Sequence, residues 1–386
     1  MLALAAGGAR TRGFDAAPGR RVLRLRAAGA VGAPLDPSDC VIATDADQAR
    51  GARTVAFRSV DRHLMDRAAD AAAALLLPSP LDHLGDGDIV ALDPVRGSIR
   101  VLYRRGSPSN SLLVTERCDH YCLMCSQPPK DVDDGHLFDE LDTAIPLIDP
   151  ETVEIGITGG EPTIGGDRFL ALIGSLRDRL PRTAVHVLSN GRRFLDPAFA
   201  AAYATIGHHD LMTGIPIYAD VAPVHDHIVQ AKGAFDGTVR GILNLKARGA
   251  RVEIRVVVVR QNWSRLRRTA EFIARNLSFV DHVALMALEV TGFARANLDS
   301  VWVDPFDYRH ELAEAALWLE AAGVRVSLYN HQLCTVEPAV RHLARRSISD
   351  WKNEYLAVCE DCSAKRGCAG FFATGRTRHS AHIAPL

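Results

Sequence analysis

The feature that most limits the fold of this chain is a regular alternation of apolar strands and helices that begins near residue 111. Strands separated by helices of about 10 to 15 residues predict βαβ units with a parallel sheet. Apolar residues fill these strands almost throughout, as expected when both sheet faces are covered. The predicted strands are "SLLVTE" (111–116), "VEIGIT" (153–158), "AVHVLS" (184–189), "LMTGIPIY" (211–218), "VEIRVVVV" (252–259) and "HVALMAL" (282–288). They predict an α/β protein with a partial (β/α)6 barrel of the TIM type, whose chemistry lies at the carboxyl ends of the strands.

Two further regions flank the predicted barrel, which we assign to residues 109–305. Residues 1–108 contain short strand-like runs and one helix-like stretch, "DRHLMDRAADAAAALLL" (61–77). They predict a small α+β module without a chemical signature. Residues 306–386 predict a helix, a short strand and then a cysteine-rich extension.

Charge and hydropathy exclude several classes of partner. The formal net charge of the 386 residues is −1, which argues against nucleic acid or another polyanion held by bulk electrostatics. No apolar run approaches the roughly 20 residues that span a bilayer, and the start of the chain lacks the basic region of a signal peptide. We expect a cytoplasmic protein without a membrane partner. In a reducing compartment, clustered cysteines are more often metal ligands than disulfides.

The cysteines fall into two groups, with Cys40 left alone as an expected buried apolar side chain. The first group follows the first predicted barrel strand and consists of Cys118, Cys122 and Cys125. Three thiolates leave a structural zinc ion one ligand short, so a zinc site would need His120 or His136. An iron–sulfur cluster is the alternative that the short spacing also allows.

The first group, "CDHYCLMC" (118–125), resembles the signature of the radical S-adenosylmethionine (SAM) enzymes. The resemblance implies that Cys118, Cys122 and Cys125 hold a four-iron, four-sulfur (4Fe-4S) cluster. Its remaining iron would bind the amino and carboxylate groups of SAM, so that the missing ligand is the place of the substrate. Met124 occupies the apolar position that lies near the adenine in this family.

Further segments resemble the SAM-binding motifs of the same family, in the same order. "ITGGEPTIGG" (157–166) matches its GGEP motif, which binds the SAM amino group. Glycine lets the backbone approach a ligand, so a bulky residue at position 160 is expected to weaken SAM binding and to leave the iron content unchanged. The SAM-binding residues that the resemblance implies are Met124, Gly159, Gly160, Glu161, Pro162, Ser189, Asn190, Arg255 and Asn262. Tyr218, Asp220 and Arg260 are weaker polar candidates, and for the segments after the GGEP motif an ordinary turn or surface role stays open.

The second group, "CEDCSAKRGCAGFF" (359–372), resembles the start of the SPASM and twitch domains, which carry auxiliary clusters in peptide-modifying radical SAM enzymes. Phe372 stands where those domains often have a further cysteine, so two complete auxiliary clusters are not expected. Cys334 can supply the fourth thiolate beside Cys359, Cys362 and Cys368. The expected group is one second 4Fe-4S cluster, with a zinc ribbon as the alternative and His331 as an alternative ligand.

The segments "LLVTERCDHYCLMCSQPPK" (112–130), "YNHQLC" (329–334) and "SISDWKNEY" (347–355) resemble the His-Xaa-Ser-system radical SAM maturases, which are encoded with peptides carrying His-Xaa-Ser repeats. The resemblance implies reductive cleavage of SAM to a 5′-deoxyadenosyl radical, which abstracts hydrogen from a ribosomally made peptide. It also implies a reductant such as flavodoxin or ferredoxin, and a partner maturase. No catalytic side chain is assigned. A radical SAM enzyme for a small molecule or nucleoside, and a metal-binding scaffold without catalysis, remain alternatives.

Overall fold

The computed structural model of the chain describes residues 3–14, 19–28, 36–45, 47–48, 52–66, 71–346 and 353–386. The first part of the motif at 347–355 lies outside these ranges. The chain divides into two compact units. One comprises Met1–Leu113, Gly135–Ile155 and Gly174–Thr183, and the other Val114–Asp134, Gly156–Ile173 and Ala184–Leu386.

The first unit contains an eight-stranded mixed sheet. Its strands are β1 (Ala5–Gly7), β2 (Arg10–Arg12), β3 (Arg21–Ala27), β4 (Asp39–Ile42), β5 (Thr54–Phe57), β6 (Ala73–Leu76), β7 (Ile89–Asp93) and β8 (Ser98–Tyr103). They are ordered β1-β8-β7-β3-β4-β5-β6-β2, and β3 to β6 pair in parallel. Apolar clusters cover both faces of this sheet. Cys40 is fully buried in one of them, which confirms its predicted place in the core.

The helix predicted for residues 61–77 is wrong. The structure has a 3-10 helix at Ser59–Leu64 and the strand β6 further on, while residues 67–70 lie outside the described ranges. Leu75 packs into one apolar cluster and Leu76 into the other, on opposite faces of the sheet. A strand covered on both faces is apolar at every position, so its composition does not distinguish it from a buried helix.

The second sheet has seven strands in sequential order and contains all six strands predicted for the barrel. They are β9 (Asn110–Leu113), β10 (Glu154–Thr158), β11 (Ala184–Leu188), β12 (Leu211–Pro216), β13 (Arg251–Val257), β14 (His282–Met286) and β15 (Val326–Tyr329). Each pairing from β11 to β15 is parallel. The predicted α/β class with a partial TIM-like barrel is therefore confirmed.

Helices follow the strands of this sheet, as the alternation predicts. They are α1 (His136–Ala144), α2 (Asp167–Arg179), α3 (Pro197–Thr205), α4 (Ala222–Val229), α5 (Ala234–Lys246), α6 (Leu266–Asn276), α7 (Gly292–Ala296), α8 (Leu298–Val301) and α9 (Arg309–Ala321). α3 begins after Asp196, whose carboxylate accepts a hydrogen bond from the Ala198 amide at 2.9 Å, with Pro197 in the first turn. α6 buries Leu266, Ala270 and Ile273 along one face, at helical spacing.

Beyond β15 the described residues form short 3-10 helices at Leu333–Thr335, Pro338–Leu343, Ala357–Cys359, Lys365–Gly367 and Ala373–Thr377. Glu354 and Phe371 form an isolated antiparallel bridge between them. In the part of the chain that the structure describes, no helix has the length and apolar character needed to cross a membrane.

Candidate functional site

The first cysteine group lies on the loop that leaves β9, and the end of α4 supports one side of this loop. The Tyr121 amide donates to the Val229 carbonyl at 3.1 Å, and the Leu123 amide donates to the Ile228 carbonyl at 2.9 Å. Cys118, Cys122 and Cys125 are half-buried free thiols. Backbone hydrogen bonds therefore fix the part of the loop that carries the three sulfur atoms.

The segment after β14 holds the other side of the cysteine loop. The Phe293 amide donates to the Cys125 carbonyl at 2.8 Å, and the Asn297 side chain donates to the Leu123 carbonyl at 2.8 Å. Gly292 has a positive φ of 51°, and a Cβ atom there would lie 2.5 Å from the Cys125 carbonyl oxygen. The sequence analysis missed these residues, because nothing in their local sequence shows that they meet a loop about 170 residues earlier.

Asn297→Ala should loosen the cysteine loop and shorten the lifetime of its bound metal. The Leu123 carbonyl loses a side-chain donor, at a cost of about 1 kcal/mol. We expect iron to leave the variant several-fold faster than the wild-type protein when a chelator is added, followed by visible absorption. Asn276→Ala is the matched control, because the exposed Asn276 amide also donates to a backbone carbonyl, within α6. Equal rates for the two variants would contradict the proposed support.

The GGEP segment follows β10 and bonds directly to the chain that precedes Cys118. The Gly160 amide donates to the Thr115 carbonyl at 2.9 Å, and the Glu161 amide donates to the Arg117 carbonyl at 2.8 Å. A Cβ atom on Gly160 would lie 2.1 Å from the Arg117 carbonyl oxygen and 3.0 Å from Cys118 Cβ. The space beside Gly160 is thus filled by the cysteine loop itself.

This contact changes the expectation for Gly160. Gly160→Ala should displace Cys118 and reduce iron loading toward half of the wild-type value, the share that the second group still holds, because a 2.1 Å approach to a backbone oxygen cannot be relieved without moving the loop. Iron and protein assays after anaerobic reconstitution measure the effect. Gly174→Ala in α2 is the control, since no atom lies within 4 Å of its added Cβ. Full iron loading of Gly160→Ala would instead support the earlier expectation of a purely SAM-binding glycine.

Glu161 ties the GGEP segment to the end of β11. Its buried carboxylate accepts hydrogen bonds from the Thr163 hydroxyl at 2.6 Å, the Ser189 hydroxyl at 2.8 Å and the Asn190 backbone amide at 2.5 Å. Burial raises the pKa of Glu161, although these hydrogen bonds oppose the shift. The Asn190 side chain in turn donates to Asp119 in the cysteine loop at 2.6 Å. The structure therefore brings together the cysteine loop, the GGEP segment and the residues after β11. Pro162 is buried at the start of a 3-10 helix, Pro162–Gly165.

Met124 and Asn262 lie on the neighbouring side of the barrel mouth. Met124 packs in an apolar cluster with Ile228 and Val259, against which Cys122 and Tyr218 also pack. Asn262 is fully buried, and its amide nitrogen donates to the Tyr218 carbonyl at 2.9 Å while its oxygen accepts from the Val259 amide at 2.8 Å. Both polar atoms of the Asn262 side chain are thus bonded to backbone groups. Asn262 would therefore affect SAM binding only through the position of Tyr218.

The weaker polar candidates Asp220 and Arg260 have partners of their own, and so does Arg255 of the implied SAM-binding set. Asp220 forms a bidentate ion pair with Arg265, in which the two nitrogen–oxygen distances are both 2.7 Å. Arg260 donates to the Trp302 carbonyl at 2.8 Å. Arg255 lies on β13 inside the barrel, paired with Glu253 at 3.2 Å. The partners of these three side chains, namely Arg265, the Trp302 carbonyl and Glu253, lie outside the GGEP segment.

The thiols of the first group are held in their protonated form in the metal-free protein. Burial raises the pKa of Cys118 to about 12, and the nearby carboxylates of Glu161 and Asp119 add to the shift. Burial also raises the pKa values of Cys122 and Cys125. A metal binds the thiolate and must displace these protons, so metal loading should be favoured as the pH rises.

The second cysteine group surrounds one small cavity in the C-terminal region. The cavity is lined by all four predicted thiols, Cys334, Cys359, Cys362 and Cys368, and by Tyr355 and Phe371 among others. The Tyr355 hydroxyl donates to the Cys368 carbonyl at 3.1 Å and the Lys365 carbonyl at 3.2 Å, which fixes the Cys368 loop. His331 is not among the lining residues, and its ring pairs with the Tyr308 hydroxyl at 3.2 Å.

Neither cysteine group forms a compact site for a single ion. Among the described residues, no three His, Cys, Asp or Glu side chains are placed so that they could hold one metal ion. A single zinc ion requires each sulfur about 2.3 Å from the metal, whereas an iron–sulfur cluster distributes its thiolate ligands over several irons. The all-thiol composition of both groups, with three and four sulfurs, fits such clusters.

Comparison with known proteins identifies the domain that carries the first group. Residues 112–273 match the profile of the Radical SAM superfamily, and this range contains Cys118, Cys122, Cys125, the GGEP segment and Asn190. The part of the chain that carries the first cysteine group is therefore similar to the Radical SAM superfamily. No curated protein matches the sequence.

Solved structures with a similar fold have low sequence identity to this chain. SuiB of Streptococcus suis bound to S-adenosylmethionine is 14% identical, with 62% of this chain and 53% of that chain covered and a TM-score of 0.48. Native anSMEcpe with bound AdoMet is 17% identical over 56% and 63%, with a TM-score of 0.44. Coproporphyrinogen III oxidase (HemN) from Escherichia coli is 13% identical over 57% and 54%, with a TM-score of 0.45. This chain thus spans between about half and two thirds of the length of these proteins.

Proposed function

We propose that this protein is a radical SAM enzyme that modifies a ribosomally made peptide of the His-Xaa-Ser type. The observation that carries the proposal is the direct bonding of the cysteine loop to the GGEP segment within a radical SAM domain. Bound at these three thiols, a 4Fe-4S cluster would supply the electron that cleaves SAM to methionine and a 5′-deoxyadenosyl radical. The remaining tasks, binding, orientation and exclusion of water, belong to the protein.

The residues that we assign to SAM follow β10, β11 and β13 along the chain, and Met124 belongs to the cysteine loop. Gly159, Gly160 and Glu161 would present the backbone groups that bind the SAM amino group. Ser189 and Asn190 follow β11 and are fixed by Glu161 and Asp119. Met124 would lie against the adenine, in an apolar cluster that excludes water.

The second cysteine group is assigned to one auxiliary 4Fe-4S cluster with four thiolate ligands. Cys334, Cys359, Cys362 and Cys368 line the same cavity, so the ligand set is complete without a residue at position 372. Zinc remains the alternative metal.

The peptide substrate rests on sequence resemblance to the His-Xaa-Ser-system maturases. A flavodoxin or ferredoxin is proposed as the reductant, and a partner maturase as a second protein of the same pathway.

An anaerobic SAM-cleavage assay tests the reaction class. The reconstituted protein, reduced with dithionite, should form 5′-deoxyadenosine and methionine from SAM, detected by chromatography and mass spectrometry. Addition of a peptide with His-Xaa-Ser repeats should raise the rate and change the peptide mass. Cleavage without any change in the peptide would favour a small molecule or nucleoside as the substrate. Absence of cleavage at full iron loading would favour the non-catalytic scaffold.

A further inference from the structure

The interior of the partial barrel carries polar side chains, two of which are partly exposed to solvent. Val185 and Val187 on β11, like Ile254 and Val256 on β13, are fully buried. The residues that alternate with them, His186 and Arg255, retain about a fifth to a quarter of their side-chain exposure, 21% and 25%. A closed eight-stranded barrel fills its interior with bulky apolar side chains. Here solvent reaches a layer of charged groups instead, so a ligand can reach them too.

One hydrogen-bonded network connects this polar layer across β13, β14 and β15, and His186 on β11 lies at ion-pair distance from it. The Glu253 carboxylate accepts a hydrogen bond from His282 Nδ1 at 2.8 Å. On the other side of the ring, His282 Nε2 lies 3.0 Å from the Ser327 hydroxyl. On its other oxygen, Glu253 contacts Arg255 Nη1 at 3.2 Å and His186 Nε2 at 3.5 Å.

Gly214 on β12 leaves space for side chains of the two neighbouring strands, β11 and β13, to approach each other inside the barrel. A Cβ atom on Gly214 would lie 2.9 Å from His186 Nε2 and 3.0 Å from Arg255 Cδ. Burial opposes ionisation of Glu253, but the hydrogen bond with His282 and the charge of Arg255 lower its pKa. The ionised carboxylate of Glu253 thus holds the Arg255 guanidinium from the side of the barrel interior where β13 begins.

Arg255 keeps hydrogen-bonding capacity that these contacts do not use. A guanidinium has five N–H donors. The described contacts of this side chain are Glu253 and the Met286 sulfur, which lies 3.3 Å from Nη2. A planar, partly exposed guanidinium with spare donors is suited to a carboxylate, which it can bind through two parallel hydrogen bonds.

Arg255 is anchored toward the deeper end of the barrel strand. Glu253, Arg255 and Val257 occupy successive inward positions of β13, and Val257 packs against the cluster that contains Met124. At roughly 3.3 Å per strand residue, the backbone of Arg255 lies about 7 Å deeper than that of Val257, and its guanidinium bonds to the still deeper Glu253. We propose that Arg255 binds a carboxylate of the molecule that is modified, not that of SAM, with Glu253 as its positioning residue. This assignment rests on the proposed function, and it replaces the SAM role implied for Arg255 by resemblance.

Binding of two small probes tests the proposal without any need for catalysis. N-acetylglutamic acid α-amide carries a side-chain carboxylate, and N-acetylglutamine α-amide is its neutral counterpart. Each is titrated into the full-length protein, and the ring signals of His186 and His282 are followed by NMR. The carboxylate probe should bind about tenfold more tightly than the amide, the scale of one charge-assisted interaction.

Variants then assign the preference to Arg255. Arg255→Gln should remove the tenfold difference, and Arg255→Lys should retain part of it, because a lysine keeps the charge but loses the paired donors. Arg248→Gln is the control, since that guanidinium is bonded to the Asn244 carbonyl in an exposed position. Thermal melts by circular dichroism establish that each variant is folded. Equal affinity for the two probes in the wild-type protein, or a preference that survives in Arg255→Gln, would overturn the proposal.

SAM provides the second arm of the test. Arg255→Gln should leave the dissociation constant of SAM within about twofold of the wild-type value. A loss of about tenfold or more that decarboxylated SAM does not share would assign Arg255 to the SAM carboxylate and overturn the proposal. If the wild-type protein fails to cleave SAM, the proposed function is contradicted while the probe measurement still decides whether Arg255 binds a carboxylate.

Discussion

Replacing Cys118, Cys122 and Cys125 together by alanine should abolish the formation of 5′-deoxyadenosine and remove one of two clusters. These thiols are the whole side-chain ligand set of the first group, so no partial site remains once all three are lost. The reconstituted wild-type protein should hold about eight irons and the variant about four. Absorption near ~400 nm should fall correspondingly and still bleach with dithionite.

The complementary variant, with Cys359, Cys362 and Cys368 replaced by alanine, is the control for this experiment. It loses the same number of thiols but leaves the cysteine loop and its bonds to the GGEP segment intact. It should therefore retain about four irons and cleave SAM. Stoichiometric zinc with little iron in the wild-type protein would contradict the assignment of a SAM-cleaving 4Fe-4S cluster to the first group.

The core of the site could be predicted from sequence because its signals are local. Cys118, Cys122 and Cys125 fall within eight residues, and the GGEP segment lies at the end of the next strand of the sheet. In a parallel sheet, successive strands place their carboxyl ends at one edge. The order of motifs along the chain thus becomes their order in space, and the structure brings these two segments into direct backbone contact.

Other features depend on contacts between distant segments that no local pattern shows. Asn297 donates to Leu123 across a separation of 174 residues, and Gly292 contacts the same loop. Gly160 looked like a ligand-facing glycine, but its missing side chain is needed for the approach of Arg117 and Cys118.

The polar layer inside the barrel was also only partly visible in the sequence. Glu253 and Arg255 alternate with apolar residues in "VEIRVVVV", yet their partners come from other strands. His282 is in direct register with Glu253, whereas His186 reaches it only because Gly214 leaves room on the strand between them. A network of this kind follows from register and from an absent side chain, neither of which can be read from one strand.

Cys334→Ala should remove the second metal group while leaving SAM cleavage without peptide unchanged. Cys334 reaches the cavity from the 3-10 helix after β15, while the other three thiols come from residues 359–368. Without it, one iron of the second cluster has no thiolate ligand, and this group, unlike the first, is not assigned SAM as the ligand of that iron. Iron should fall from about eight to about four per chain on reconstitution, with the dithionite-bleachable absorption halved. Peptide modification should be lost with the cluster.

The matched control for this variant is Cys40→Ala, which removes a cysteine that belongs to neither group and is buried in the core of the first unit. It should keep both clusters, although the smaller side chain costs packing energy there. The two variants also discriminate between a saturated and an open cluster. If Cys334→Ala retains about eight irons, the three thiols at 359–368 are enough to hold the cluster, as three thiols are in the first group, and the variant would leave one iron free for substrate. Because Cys334 lines the same cavity as those thiols, we expect a saturated cluster that transfers electrons and does not bind substrate.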